Sequence, residues 1–128
     1  MIARFRIDSR NAPTLSFERL EDRTLLSIFT VTNLGDAGSG SLRQAVIDAN
    51  NSSGDDTIVF QSGLNGMIQL TSGEMDVTDN LVVTGLGQTN TVIDAQQNSR
   101  IFDVSGSNTV FTLNSLTLQN GRVNTYSE

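Results

Sequence analysis

The chain has 128 residues and a formal net charge of −6, and it contains no Cys, His, Trp or Lys. Those absences exclude disulfide bridges, thiol and His-based catalysis, Cys or His metal centres, Schiff-base chemistry and the phosphate-gripping lysine of a P-loop. The length allows one small domain, and with Ser, Thr, Asn and Gly supplying 51 residues against 17% charged residues, its surface is built from hydroxyls and amides.

Residues 1–27 hold five Arg and four acids, whereas residues 28–128 hold three Arg and ten acids. The acidic body repels phosphate backbones, which argues against nucleic-acid binding and against docking on an anionic membrane surface. Residues 1–27 lack both the apolar stretch of a secretory signal and the 20 or so apolar residues of a membrane span. On physical grounds they read as a short, partly helical, solvated leader.

From Phe29 the pattern has period two, Phe29 and Val31 alternating with Thr30 and Thr32 as in a half-buried strand. The turn Gly35-Asp-Ala-Gly-Ser-Gly40 follows. Ser41-Leu-Arg-Gln44 then has the form of a capping box, and Leu42, Ala45, Val46 and Ala49 form one apolar helical stripe ended by Asn50, Asn51 and Gly54. So short a helix needs its stripe buried against a partner. Beyond Asp56 the chain becomes a series of short strands. Ile58/Phe60, Ile68/Leu70, Met75/Val77, Leu81/Val83, Phe102/Val104, Phe111/Leu113 and Leu116/Leu118 are inward pairs, with Ile93 in the same phase. Gln69, Thr71, Asp76, Thr78, Thr84, Asp94, Asp103, Thr112, Thr117 and Gln119 then face outward. Similar elements return after roughly 24 to 35 residues, a spacing typical of solenoid repeats. Stacked coils superpose like residues, so columns of Thr, Asn and Ser are tolerated where columns of one charge repel.

Phe29-Thr-Val-Thr-Asn33, Asp36-Ala-Gly-Ser-Gly-Ser-Leu-Arg-Gln-Ala45 and Gly54-Asp-Asp-Thr-Ile-Val-Phe60 resemble, in that order, the N-terminal module of secreted bacterial right-handed parallel β-helix proteins of the CSLREA or choice-of-anchor type. Gly40 stands where that family carries its Cys. Leu116-Thr-Leu-Gln-Asn-Gly121 is similar to the family's first coils, and Phe17-Glu-Arg-Leu-Glu-Asp-Arg-Thr-Leu-Leu-Ser27 resembles the leader of large extracellular proteins of planctomycete bacteria. The resemblance implies an all-β, pectin-lyase-like solenoid with an N-terminal capping helix and about two coils. It divides the chain into an export leader (1–27), a strand-helix-strand cap (28–60) and the first coils (61–128). The end at Asn124-Thr-Tyr-Ser-Glu128 has no capping helix, so the last coil is expected to meet further coils or to self-associate.

The fold alone assigns no activity. The resemblance implies that a lyase of this type uses an Arg or Lys base beside Ca²⁺-holding acids, and a β-helix hydrolase needs paired carboxylates. Arg100 and Arg122 are the only Arg residues in the coils, and Asp76, Asp94 and Asp103 read more simply as a solvated outer face. Asp55 and Asp56 face opposite sides of an extended chain and read as turn and strand start, a weak Ca²⁺ site being the alternative. Asp36 reads as a turn carboxylate, and Gly35, Gly38 and Gly40 make no nucleotide fingerprint. Asn50 and Asn51 each begin an N-x-Ser sequon that reads as chance. The expectation is therefore a non-enzymatic, extracellular or cell-surface scaffold or adhesin module, with no catalytic, cofactor or metal residue assigned. Its expected partners are an extracellular polysaccharide, a cell-surface component or further coils. The alternative is the N-terminal part of a polysaccharide lyase or hydrolase.

Overall fold

The computed structural model describes residues 26–122; the leader before Leu26 and the terminal Asn124-Thr-Tyr-Ser-Glu128 lie outside the described residues. The elements run β1 (Ser27–Val31), α1 (Leu42–Asn50), β2 (Asp56–Phe60), β3 (Gly66–Gln69), β4 (Met75–Val77), β5 (Leu81–Thr84), β6 (Thr91–Asp94), β7 (Phe102–Val104), β8 (Phe111–Asn114) and β9 (Thr117–Gln119). All strand pairs are parallel. They form three sheets, ordered β1-β2-β5-β8, β3-β6-β9 and β4-β7. The chain is thus a parallel β-solenoid of about three turns, one more than the expected two. The difference arises because β2 is the first strand of the first turn and β8 and β9 begin a third.

Register converts the period-two pattern into columns. Phe29, Ile58, Val83 and Leu113 stack inward, as do Ile68, Ile93 and Leu118. Ile58, Ile68, Met75, Val77, Leu81, Val83 and Ile93 are at most 2% exposed, so truncating one of the larger of them to Ala costs about 2–5 kcal/mol. Outside, Thr57, Val82 and Thr112 form one uncharged column and Val59 and Thr84 lie in another. Asp76 on Asp103 is the one outward column of like charge in the register.

Helix α1 buries Leu42, Ala45, Val46 and Ala49, the stripe predicted, over β1, β2 and β4. The capping box is only half formed. Ser41 Oγ accepts from Gln44 N at 3.1 Å, but the Gln44 side chain turns away to Asp48 Oδ1 at 2.9 Å, and Ser41 N donates to Gly38 O instead. Gly40 has φ +82°, and a Cβ there would lie 2.7 Å from Asn33 Nδ2, so this loop conformation demands glycine. Two other expectations differ from the structure. Asp94, expected outward and solvated, is buried because Gln96 N and Asn120 Nδ2 fold over its carboxylate at 2.7 and 2.9 Å. Val104 and Leu118, expected inside, remain 44% and 39% exposed because no further strand among the described residues stacks on β7 or β9.

Candidate functional site

Side chains do their most concentrated work at the first turn. Strand β4 pairs with β7 on one side only, so the backbone groups of Glu74, Asp76 and Thr78 point away from the stack. Arg43 Nη1 donates to Glu74 O at 2.9 Å and Nη2 to Gly73 O at 2.7 Å. One α-helical period pair further on, Asn50 Nδ2 donates to Asp76 O at 2.8 Å, and Asn50 Oδ1 accepts from Thr78 N at 3.0 Å. Asp36 does the same for the turn after β3, accepting from Thr71 N at 2.9 Å and from the Ser72 hydroxyl. Arg43 closes the network on Asp36, through Nη2 to Oδ1 and Nε to the carbonyl, both at 3.1 Å. Partial burial opposes ionisation of Asp36, but the bonds from Ser72, Thr71 and Arg43 outweigh it and hold the carboxyl well below the ordinary carboxylate range. Asp36 is therefore a long-range clamp, not the local turn carboxylate expected. The sequence carried one signal for this: Arg43 and Asn50 are seven residues apart and lie on one helix face.

Of the outward acids, Asp76 and Asp103 come together and Asp94 does not. Glu74, Asp76 and Asp103 each place a carboxylate oxygen within 4.8 Å of the others. Arg100 spans them, gripping Glu74 with Nε and Nη2 at 2.8 and 2.9 Å and approaching Asp103 at 3.6 Å. Its hydrogen bonds to Glu74, with the charges of Asp103 and Glu74, raise the guanidinium pKa further. That shift is opposite to what a proton-abstracting arginine needs. Asp76 is exposed and Glu74 and Asp103 are half-buried. The group does explain how the fold tolerates its like-charge column.

Asp55 and Asp56 face opposite sides, as their extended spacing dictates. Asp55 is exposed and accepts from Asn80 Nδ2 at 2.9 Å, while Asn80 Oδ1 accepts from Val110 N, forming a short ladder between turns. Asp56 is 1% exposed and sits in the inward column below Leu81 and Phe111. Its Oδ1 accepts from Ser52 Oγ at 3.2 Å, and its buried Oδ2 finds no partner among the described residues. Burial pushes its pKa up; bonds from Ser52 and Ser27 offset this in part, and Asp79 and Asp55 add to it. The two carboxylates do not converge on one point.

Two larger hollows are present among the described residues. One, of about 390 Å³, runs along the start of the first sheet between Leu26, Asp55, Asn80, Val82 and Val110. The other, of about 410 Å³, lies at the far end of the described turns among Ile101, Phe102, Phe111, Leu113 and Leu118, with Arg100 and Arg122 on its rim. Neither encloses the Glu74, Asp76 and Asp103 group. No helix of the described residues is long and apolar enough to cross a membrane. Compared with known proteins, the chain matches no family model, no curated protein and no solved structure.

Proposed function

We propose that this chain is a non-enzymatic, extracellular or cell-surface scaffold module, a β-solenoid rod closed at its first turn. The observation that carries the reading is the clamp of Asp36, Arg43 and Asn50: the densest polar constellation on the described residues is spent on backbone groups of the first turn, not aimed into a cavity. The mostly uncharged Thr, Val and Asn columns outside suit a passive surface. The similarity of Phe29–Asn33, Asp36–Ala45 and Gly54–Phe60 to the CSLREA and choice-of-anchor modules, and of residues 17–27 to planctomycete leaders, supports export and surface display.

A lyase or hydrolase reading is favoured by one observation, the convergence of Glu74, Asp76 and Asp103. Incubation with polygalacturonate and related polymers, with Ca²⁺ present, while following unsaturated product and reducing ends, separates the two. No turnover is expected. Turnover that is lost on Asp76→Asn or Asp103→Asn would overturn the scaffold reading.

A further inference from the structure

The outer side of the first sheet carries a regular pattern of side chains. Ile28, Thr57, Val82 and Thr112 stack in one column, and Thr30, Val59, Thr84 and Asn114 stack in the next. The order of Thr and its neighbour inverts from strand to strand, so hydroxyl and aliphatic side chains alternate in both directions as far as Asn114. Seven of the eight are β-branched and are held to few rotamers. Four are exposed and four half-buried, and none is charged or aromatic. The other two sheets differ, since the second carries Met67 and Gln69 outside and the third carries the Asp76 and Asp103 column. Neighbouring strands lie about 4.8 Å apart and alternate residues of one strand about 6.7 Å apart, so the face is a two-dimensional lattice of methyl and hydroxyl groups. We propose that this face binds the crystalline surface of ice.

The dimensions select that ligand. Both repeats agree to within about a tenth with the two perpendicular oxygen repeats on the prism face of ice. Across the three strand spacings from β1 to β8 the mismatch grows to only about 1 Å, less than the width of one water molecule, so all four strands stay in step. The chemistry agrees with the dimensions. Methyl groups cannot bond water and order the layer that covers them, while the hydroxyls between them join that layer as donors and acceptors. A charged side chain would draw the same waters into its own hydration shell, and these columns contain none. Stiff β-branched side chains also lose little freedom on contact. Macromolecular partners fit less well. At these spacings the eight positions cover roughly 250 Å², against about 800 Å² a side for a stable protein contact. The sugar rings of a crystalline polysaccharide are gripped by stacking on aromatic side chains, and the face has no aromatic.

The test uses the full 128-residue chain in dilute buffer from which ice is grown slowly on a cold finger, the protein being measured in the ice and in the remaining liquid. The chain is expected to concentrate in the ice and to suppress the coarsening of fine-grained ice. Thr112→Arg and Val82→Arg each raise a long charged side chain above the lattice, and each is expected to lower the ice-to-liquid ratio by at least about tenfold with circular dichroism unchanged. Met67→Arg, the same kind of change on the second sheet at a side chain 42% exposed, is expected to leave the ratio as it is. If Val82→Arg disturbs the fold, Thr112→Arg, at an exposed position, carries the test alone. A chain excluded from ice as an inert protein is overturns the inference. A ratio lowered as much by Met67→Arg as by Thr112→Arg overturns it too, because the contact would then lie elsewhere. Retention on crystalline cellulose or chitin that Thr112→Arg abolishes, without uptake into ice, overturns it in favour of a polysaccharide. None of these outcomes depends on whether the scaffold reading or the enzyme reading holds.

Discussion

Replacing Arg43 with Ala tests the clamp most severely. The guanidinium donates four hydrogen bonds of 2.7–3.1 Å to the Asp36 carboxylate and to the carbonyls of Asp36, Gly73 and Glu74, with its side chain only 14% exposed. Charged hydrogen bonds contribute about 1.5–3 kcal/mol each, but they share one desolvated group and do not add. Breaking a largely buried pair costs about 3–5 kcal/mol, and water reaching the vacated carbonyls places this site near the lower bound, about 3 kcal/mol. For a domain near 100 residues, where 1 kcal/mol moves the midpoint by about 4–8 °C, the expected drop is about 12–24 °C, read by circular dichroism on the full chain. Arg43→Lys should recover less than half, because one ammonium cannot reach both Asp36 and the carbonyls beyond it. The pH dependence follows with a definite sign. The folded carboxyl of Asp36 titrates below its ordinary value of 3.8, so its contribution is complete above that pH and is lost as pH falls below it. Arg43→Ala should therefore flatten the acid limb of the stability profile. A loss under about 1 kcal/mol, or a Lys variant equal to the native chain, would refute the clamp.

Three further substitutions probe the same turn. Asp56 has its folded pKa raised, so its stabilising contribution is complete below pH 3.8 and is lost as pH rises through the folded value. Asp56→Asn, which removes a buried charge with an unpartnered Oδ2, should stabilise the chain by about 1 kcal/mol at pH 7, with the gain shrinking toward pH 4; a lower midpoint at pH 7 would contradict the assignment. Val46→Asp buries a carboxylate at a position 1% exposed and should cost on the order of 3–5 kcal/mol, whereas Ile47→Asp, 44% exposed on the same helix, should change the midpoint by less than about 1 kcal/mol. Equal effects of the two would mean that α1 does not seal the turn.

The strands and the helix stripe were legible because each side chain's environment is set by its own phase: Ile68 and Leu70 are buried and Gln69 between them is exposed. The partners of polar side chains were not legible. Asp94 looks solvated by phase, and its burial depends on Asn120, 26 residues away, folding over it. Arg43 reads as a polar helix residue, yet its acceptors at Gly73 and Glu74 lie 30 and 31 residues downstream. Nothing in a strand's alternation says which turn will lie beside which side chain. Val104 and Leu118 were misplaced for the complementary reason, since phase tells which side a residue faces and not whether another turn covers that side.

Why the first turn uses Arg and Asn follows from what a helix can offer a strand. A helix keeps its own N–H and C=O groups in its axial bonds, so only side chains can complete the edge of β4. Two helical turns advance about 10 Å, and the span from Glu74 to Thr78 is about 13 Å, so residues seven apart reach both ends of the edge only if one of them is long. Arg43 supplies the reach and several donors for carbonyls, and Asn50 supplies a donor and an acceptor together, which the adjacent Asp76 O and Thr78 N require. Exchanging these two residue types would put an amide too short for Gly73 and Glu74 at one end, and at the other a guanidinium with no acceptor for Thr78 N. The clamp is therefore specific in order as well as in composition.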